Sequence, residues 1–174
     1  ELTKRYLHRV GELIRDMASV NRVAIRQAAD RIRTANRTGG TAWLAAAPSP
    51  LSTHAAGLSR SDPGVLRWWG TQQASGGVGP RDVFIAFGTD HAPGEPWWPL
   101  DQIDAMQAAG LGSVYVLDTC YLDPRRDIPR GDVLIKTWQP WEDALVKVAD
   151  HPARVGASSS LLAEAIYYLV TDHV

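Results

Sequence analysis

Two short segments carry the residue types that could hold a small anion and act on it. Ser49, Ser52, Thr53 and His54 follow an apolar run at residues 41–47; Gly88, Thr89 and His91 follow another at residues 82–87. Hydroxyls and free backbone N–H groups at the start of a helix hold negative charge, which makes phosphate the natural ligand. His54 and His91 carry imidazoles, whose charge changes near neutral pH, and are the candidate acid/base pair. The plainer account is that Ser49 or Ser52 caps a helix and that each His is a polar surface residue. Nucleotides are not indicated, since neither G-x-x-x-x-G-K-[ST] nor G-x-G-x-x-G after a strand occurs.

Metal and thiol chemistry find less support. His54, His91, Asp90, Asp118 and Cys120 fall on different loops without a ligand-spacing motif, so neither a metal nor a cofactor is expected. Cys120 is the single cysteine, which rules out an internal disulfide; it reads as a small buried hydrophobe. The opening residues lack the apolar core of a secretory signal, and a cytoplasmic setting is expected. No apolar run approaches the ~20 residues of a bilayer span, so no membrane partner is expected. Of the seven tryptophans, Trp97, Trp98, Trp138 and Trp141 follow strand-like runs, and packing or subunit contact is preferred to sugar stacking. Trp43, inside the first such run, is assigned to the core.

The elements that must position these residues follow from periodicity. Leu2, Tyr6, Val10, Leu13, Ile14 and Met17 recur at helical spacing, which predicts an amphipathic helix over residues 2–17. A second helix, capped by Ser19 or Asn21, turns Val23, Ile25, Ala28, Ala29 and Ile32 inward and ends at Gly39-Gly40. Apolar runs at residues 41–47, 65–69, 82–87, 113–118 and 132–137 read as strands, and the central ones do not alternate, as buried parallel strands do not. Helices are predicted at 52–59, 99–109, 141–148 and 158–170. The whole is a single α/β domain over residues 1–174, with N-terminal helices at 1–38 and an α/β core at 39–174. The core is expected as a doubly wound, flavodoxin-like three-layer sandwich on a five-stranded parallel sheet. Ligands of such sheets bind beyond the carboxyl ends of the strands, which selects the loops at residues 48–54, 88–94, 119–121 and 138–141. The segments Pro80-Arg81-Asp82-Val83 and Pro129-Arg130-Gly131-Asp132-Val133 look alike; a shared way of starting a parallel strand is preferred to an internal repeat.

Charge is unevenly spread. Residues 1–37 hold nine Lys/Arg against four Asp/Glu within a chain of net charge −1. The arginines lie around the helices without interleaved aromatics, so a solvated helix face is preferred to a nucleic-acid surface.

The order of elements resembles the SIS (sugar isomerase) domain, the phosphosugar-binding fold of phosphoheptose isomerase and its relatives. The segments that carry the resemblance are Ile25-Arg26-Gln27-Ala28-Ala29-Asp30-Arg31-Ile32 leading to Gly39-Gly40, and Ser52-Thr53-His54-Ala55-Ala56-Gly57-Leu58-Ser59-Arg60. They continue with Asp82-Val83-Phe84-Ile85-Ala86-Phe87-Gly88-Thr89, Ile103-Asp104-Ala105-Met106-Gln107-Ala108-Ala109-Gly110 and the stretch from Gly156 through Ser158, Ser159 and Glu164 to Ile166. The resemblance implies a sugar-phosphate ligand held by Ser49, Ser52, Thr53, Gly88, Thr89, Ser158 and Ser159. It implies aldose–ketose isomerisation with His54 or His91 as acid/base; a non-catalytic sugar-phosphate-binding or regulatory module is the alternative.

Departures from the family bear on that choice. Where the family places a hydroxyl-rich loop after the third strand, this chain has Thr89 followed by Asp90 and Glu95, whose charges oppose a dianion. Pro48 and Pro50 stand where the family uses glycines. The family's catalytic Glu and His correspond to Ala56 or Gly57 and to Tyr167 near Glu164. A homodimer is also expected, because the apolar stripe of the first helix exceeds what one domain covers.

Overall fold

In a computed structural model, residues 1–46, 65–68, 78–88, 111–117, 133–137, 146–147, 154–155, 159–172 and 174 are described. Two helices open the chain, α1 (Leu2–Val20) and α2 (Arg22–Arg37). The backbone reverses at Gly39, whose φ of 76° is the left-handed conformation that glycine adopts without a Cβ penalty. Gly40 follows for a different reason, since a Cβ there would overlap the backbone carbonyl of Arg81. The chain then enters β1 (Ala42–Ala46), followed by β2 (Arg67–Trp68), β3 (Val83–Gly88), β4 (Gly112–Leu117) and β5 (Val133–Lys136).

These strands pair in the order β2-β1-β3-β4-β5, and every pairing is parallel. Trp43 lies beside Phe84 and Leu44 beside Ile85, so the two strands run in step up to the Ala46–Phe87 pair. Ala42, Leu44, Val83, Ile85, Phe87, Val114, Val133 and Ile135 form one core with Met17, Ile25, Ala28, Ile32 and Ala35 of the first two helices. The closing helix α3 (Ser159–Thr171) adds Leu162, Ile166, Tyr167 and Val170 to it. Trp43, Phe84 and Ala86 alternate with that set on β1 and β3, and are buried as well. Both faces of the central strands are therefore withdrawn from water, which accounts for their unbroken apolar sequences.

Three expectations need correction. Residues 146–147 are not helical: Val146–Lys147 is a strand, β6, paired antiparallel with β7 (Arg154–Val155). Val23 does not face inward and is 68% exposed, because the inward stripe of α2 runs through Ile25, Ala28, Ala29, Ile32 and Ala35. Asn21 is the residue before α2 but makes no side-chain cap; its amide is spent on β5 instead. The expected helices at 52–59 and 99–109 lie outside the described residues.

Candidate functional site

Five parallel strands give the sheet two chemically different edges. At the amino edge the chain enters β1 and β3, and Asp82 organises the entry. Its Oδ1 accepts from the Thr41 N–H at 2.8 Å; its Oδ2 accepts from the Gly79 N–H at 3.1 Å and from the Trp43 indole Nε1–H at 3.0 Å. The Val83 N–H donates to the Thr41 carbonyl at 3.0 Å, and Arg81 Nη1 donates to the Thr38 carbonyl at 2.9 Å. Here the Pro-Arg-Asp sequence does what the resemblance between the two segments suggested for a strand start. Asp132 of the second segment lies outside the described residues.

A groove of about 450 Å³ opens at this same edge, lined by Asp30, Arg31, Thr34, Thr38, Arg81 and Asp82 among others. Its polar groups are already engaged in structure. Asp30 pairs with Arg33 at 2.6 Å, the Thr34 hydroxyl donates to the Asp30 carbonyl, and the Thr38 hydroxyl donates to the Thr34 carbonyl. The C-terminal end of α2 also points its carbonyls there, which disfavours an anion. The groove is therefore not the better candidate for a phosphate site.

At the carboxyl edge β1 and β3 are adjacent in the sheet; β1 ends at Ala46, opposite Phe87, and β3 runs one residue further, to Gly88. The segments bearing Ser49 to His54 and Thr89 to His91 leave from these two neighbouring ends. Because β2 lies on the other side of β1 while β4 and β5 lie beyond β3, strand order reverses between β1 and β3. That reversal point is where ligands of open parallel sheets bind. The carboxyl end of β5 is on the same edge, held by Asn21.

Helix α3 belongs to the same layer as α2. Its last turn is followed by Val174, whose carbonyl accepts from Arg33 Nε at 3.3 Å near the C-terminal end of α2. Ser159 therefore begins α3 at the end away from that contact, about 20 Å along a helix of 13 residues. Tyr167 is 8% exposed and belongs to the core, with the Tyr168 ring edge-on at 5.6 Å.

Of the residues expected at the site, Gly88 is the last of β3 and Ser159 the first of α3. Ser49, Ser52, Thr53, His54, Thr89, His91 and Ser158 lie outside the described residues, as do Asp90, Asp118 and Cys120. Among the described residues no three His, Cys, Asp or Glu side chains converge on a point that could hold a metal ion. No helix there is long and apolar enough to cross a membrane. Two side chains whose work the sequence did not disclose are Asp82 and Asn21; each meets partners tens of residues away, which no local spacing reveals.

No protein-family pattern and no curated protein matches the sequence. Among solved structures, the chain is similar to the sugar isomerase domain of an RpiR transcription factor from Sphaerobacter thermophilus. The likeness has a TM-score of 0.56 at 13% sequence identity and covers 99% of this chain and 89% of that one. The chain has the fold of a sugar isomerase domain.

Proposed function

We propose that this protein binds a sugar phosphate at the carboxyl edge of its sheet, between the ends of β1 and β3. The observation that carries the reading is the pairing of Ala46, the last residue of β1, with Phe87, the last but one of β3, at the point where strand order reverses. Hydroxyls of Ser49, Ser52, Thr53, Thr89, Ser158 and Ser159 and backbone N–H groups near Gly88 and at the start of α3 supply the donors a phosphate dianion needs. The doubly wound three-layer arrangement goes with this reading, as does the similarity to a sugar isomerase domain. A cytoplasmic setting suits the ligand.

Two chemistries are compatible with a sugar phosphate at this edge. In an isomerase, His54 or His91 would move the proton between neighbouring carbons. In a binding module the ligand is held and released unchanged. The core position of Tyr167 favours the second, because a residue packed there leaves no imidazole for ring opening. The similar solved domain comes from a transcription factor, which points the same way.

A thermal-shift series with sugar phosphates, the free sugars and inorganic phosphate tests the reading. Stabilisation by at least one sugar phosphate, and not by its free sugar, is expected. No response to any member would sink it. Exchange of the C2 proton of a bound sugar phosphate in deuterated water then separates the isomerase from the binder.

A further inference from the structure

Helix α2 carries five arginines and one carboxylate, Asp30. Where the sequence led to an expectation of arginines spread around the helices, α2 brings four of them into line. At about 100° per residue, Arg22, Arg33, Arg26 and Arg37 fall within an arc of about 60°, in one row about 22 Å long; Arg31 lies on another side. The row lies outside the buried stripe of Ile25, Ala28, Ala29, Ile32 and Ala35, and Arg22, Arg26 and Arg37 are exposed. These three make no ion pair or side-chain hydrogen bond among the described residues. Arg33 is half-buried and is held by Asp30 and by the Val174 carbonyl, so it adds its charge to the row from a fixed position.

Nothing in the helix itself calls for this row. Arg22 stands in the first turn, where the macrodipole favours an acid, and no acid is there. Arg22 and Arg26, and again Arg33 and Arg37, are four residues apart, the spacing at which like charges on a helix repel. The one carboxylate of α2 is already paired with Arg33. Arg37 alone suits its place, in the last turn. Local rules broken without a local gain mark a surface shaped for a partner, and this one calls for a line of negative charge.

The chemistry of the row narrows that partner. All five cations of α2 are arginine, whose planar fork matches phosphate oxygens two at a time. Duplex DNA carries one phosphate per about 1.7 Å of axis, so a row about 22 Å long runs beside about a dozen. No aromatic residue occurs in α2 to stack on unpaired bases, which disfavours a single strand. The row also holds no hydroxyl or amide with which to tell ribose from deoxyribose or one base from another. We propose that Arg22, Arg26, Arg33 and Arg37 form a sequence-independent docking surface for the phosphodiester backbone of duplex DNA. The proposal goes beyond the sugar-phosphate reading and uses none of its residues.

Fluorescence anisotropy of a labelled duplex of about 20 base pairs, titrated with the full chain between about 20 and 200 mM salt, tests it. Binding is expected to weaken as salt rises, with a log–log slope of about −3 for three to four phosphates at about −0.9 each. Arg22→Gln/Arg26→Gln/Arg37→Gln should weaken binding at least about tenfold at low salt and bring the slope to about −1. The three matching Lys substitutions keep the charge and should retain binding to within a few-fold, as should Arg15→Gln on α1, outside the row. Circular dichroism checks that each variant folds. No binding at the lowest salt overturns the proposal, as does a Gln variant that binds as tightly as the full chain. Tighter binding to duplex RNA or to single-stranded DNA overturns the choice of duplex DNA. Co-sedimentation with phosphatidylserine vesicles in the absence of DNA binding would assign the row to a lipid surface and overturn it too.

Discussion

The carboxamide of Asn21 holds both backbone groups of Lys136. Its Nδ2 donates to the Lys136 carbonyl at 2.7 Å and its Oδ1 accepts from the Lys136 N–H at 3.0 Å. The same Nδ2 donates to the Met17 carbonyl at 2.9 Å, and the residue is 5% exposed. An amide side chain offers the donor and acceptor of a peptide group, so Asn21 stands where the next strand would pair and occupies the free edge of β5. One residue at the α1–α2 junction thus ties both helices to the carboxyl end of the sheet.

Removing this tie takes the partner from the part-buried N–H and carbonyl of Lys136, while the Met17 carbonyl keeps the bond from the Asn21 backbone N–H. Asn21→Ala is expected to cost about 2–4 kcal/mol in urea unfolding, since each stranded buried group costs about 1–3 kcal/mol. Asn21→Asp keeps the acceptor but turns a carboxylate toward the Met17 and Lys136 carbonyls, which favours its protonated form. Its stability is therefore greatest below the carboxyl's unfolded value and declines as the pH rises through the folded one. A cost under about 0.5 kcal/mol for the alanine variant would contradict the assignment.

The bond from Trp43 Nε1 to Asp82 Oδ2 joins the core to the amino edge. Asp82→Ala is expected to destabilise by about 2–4 kcal/mol, because it also strands the Thr41 and Gly79 N–H groups. A double-mutant cycle with Trp43→Phe should give a coupling of about 1.5–3 kcal/mol, the range for a hydrogen bond to a charged group. Additive single effects would mean that the bond carries no net energy.

Gly39 and Gly40 should respond differently to the same substitution. Gly39→Ala has open space for its Cβ but must keep a positive φ, at a cost of about 1–2 kcal/mol, and Asn should restore part of it. Gly40→Ala collides with the Arg81 backbone, which cannot swing aside; a loss of at least about 2 kcal/mol is expected. Asn at position 40 should give no rescue. Thermal unfolding of the four variants reads the difference directly.

Glu12 supplies a pH-dependent observable. The hydrogen bond from Arg9 holds its carboxyl below the ordinary glutamate value, with the charges of His8, Arg9 and Arg15 adding to the effect and desolvation opposing it. Its contribution is therefore present above the unfolded value and is lost as the pH falls through the depressed one. Carboxyl titration by nuclear magnetic resonance should show the value rising toward the ordinary one in Arg9→Ala. No change would mean that the pair is not formed in solution.

The strands were legible because their sequences are short apolar runs buried on both faces, and residues 41–47 and 82–87 place β1 and β3 to within a residue or so at each end. The turn at Gly39 was legible for the same local reason. What escaped was long-range. Asn21 has the composition of a helix cap, and only the presence of β5 beside it makes edge pairing the better use of its amide. Val23 fits a helical stripe as an apolar residue, yet the stripe that meets the sheet passes one position further on. Val146–Lys147 is too short to show a strand period, and its pairing with Arg154–Val155 depends on partners that sequence spacing does not reveal. Of the candidate site, the sequence pointed only to the carboxyl ends of the strands, by the general rule for open parallel sheets; the sugar-phosphate ligand itself came from a resemblance.

The central claim concerns which edge of the sheet receives the ligand, and amide chemical-shift mapping during titration with a sugar phosphate tests it most directly. Saturable shifts are expected at Ala46, Phe87 and Gly88 and in the segments that follow them, while Thr38, Arg81 and Gly112 at the amino edge stay still. Saturable shifts confined to those amino-edge residues, or none at any residue, would contradict the account.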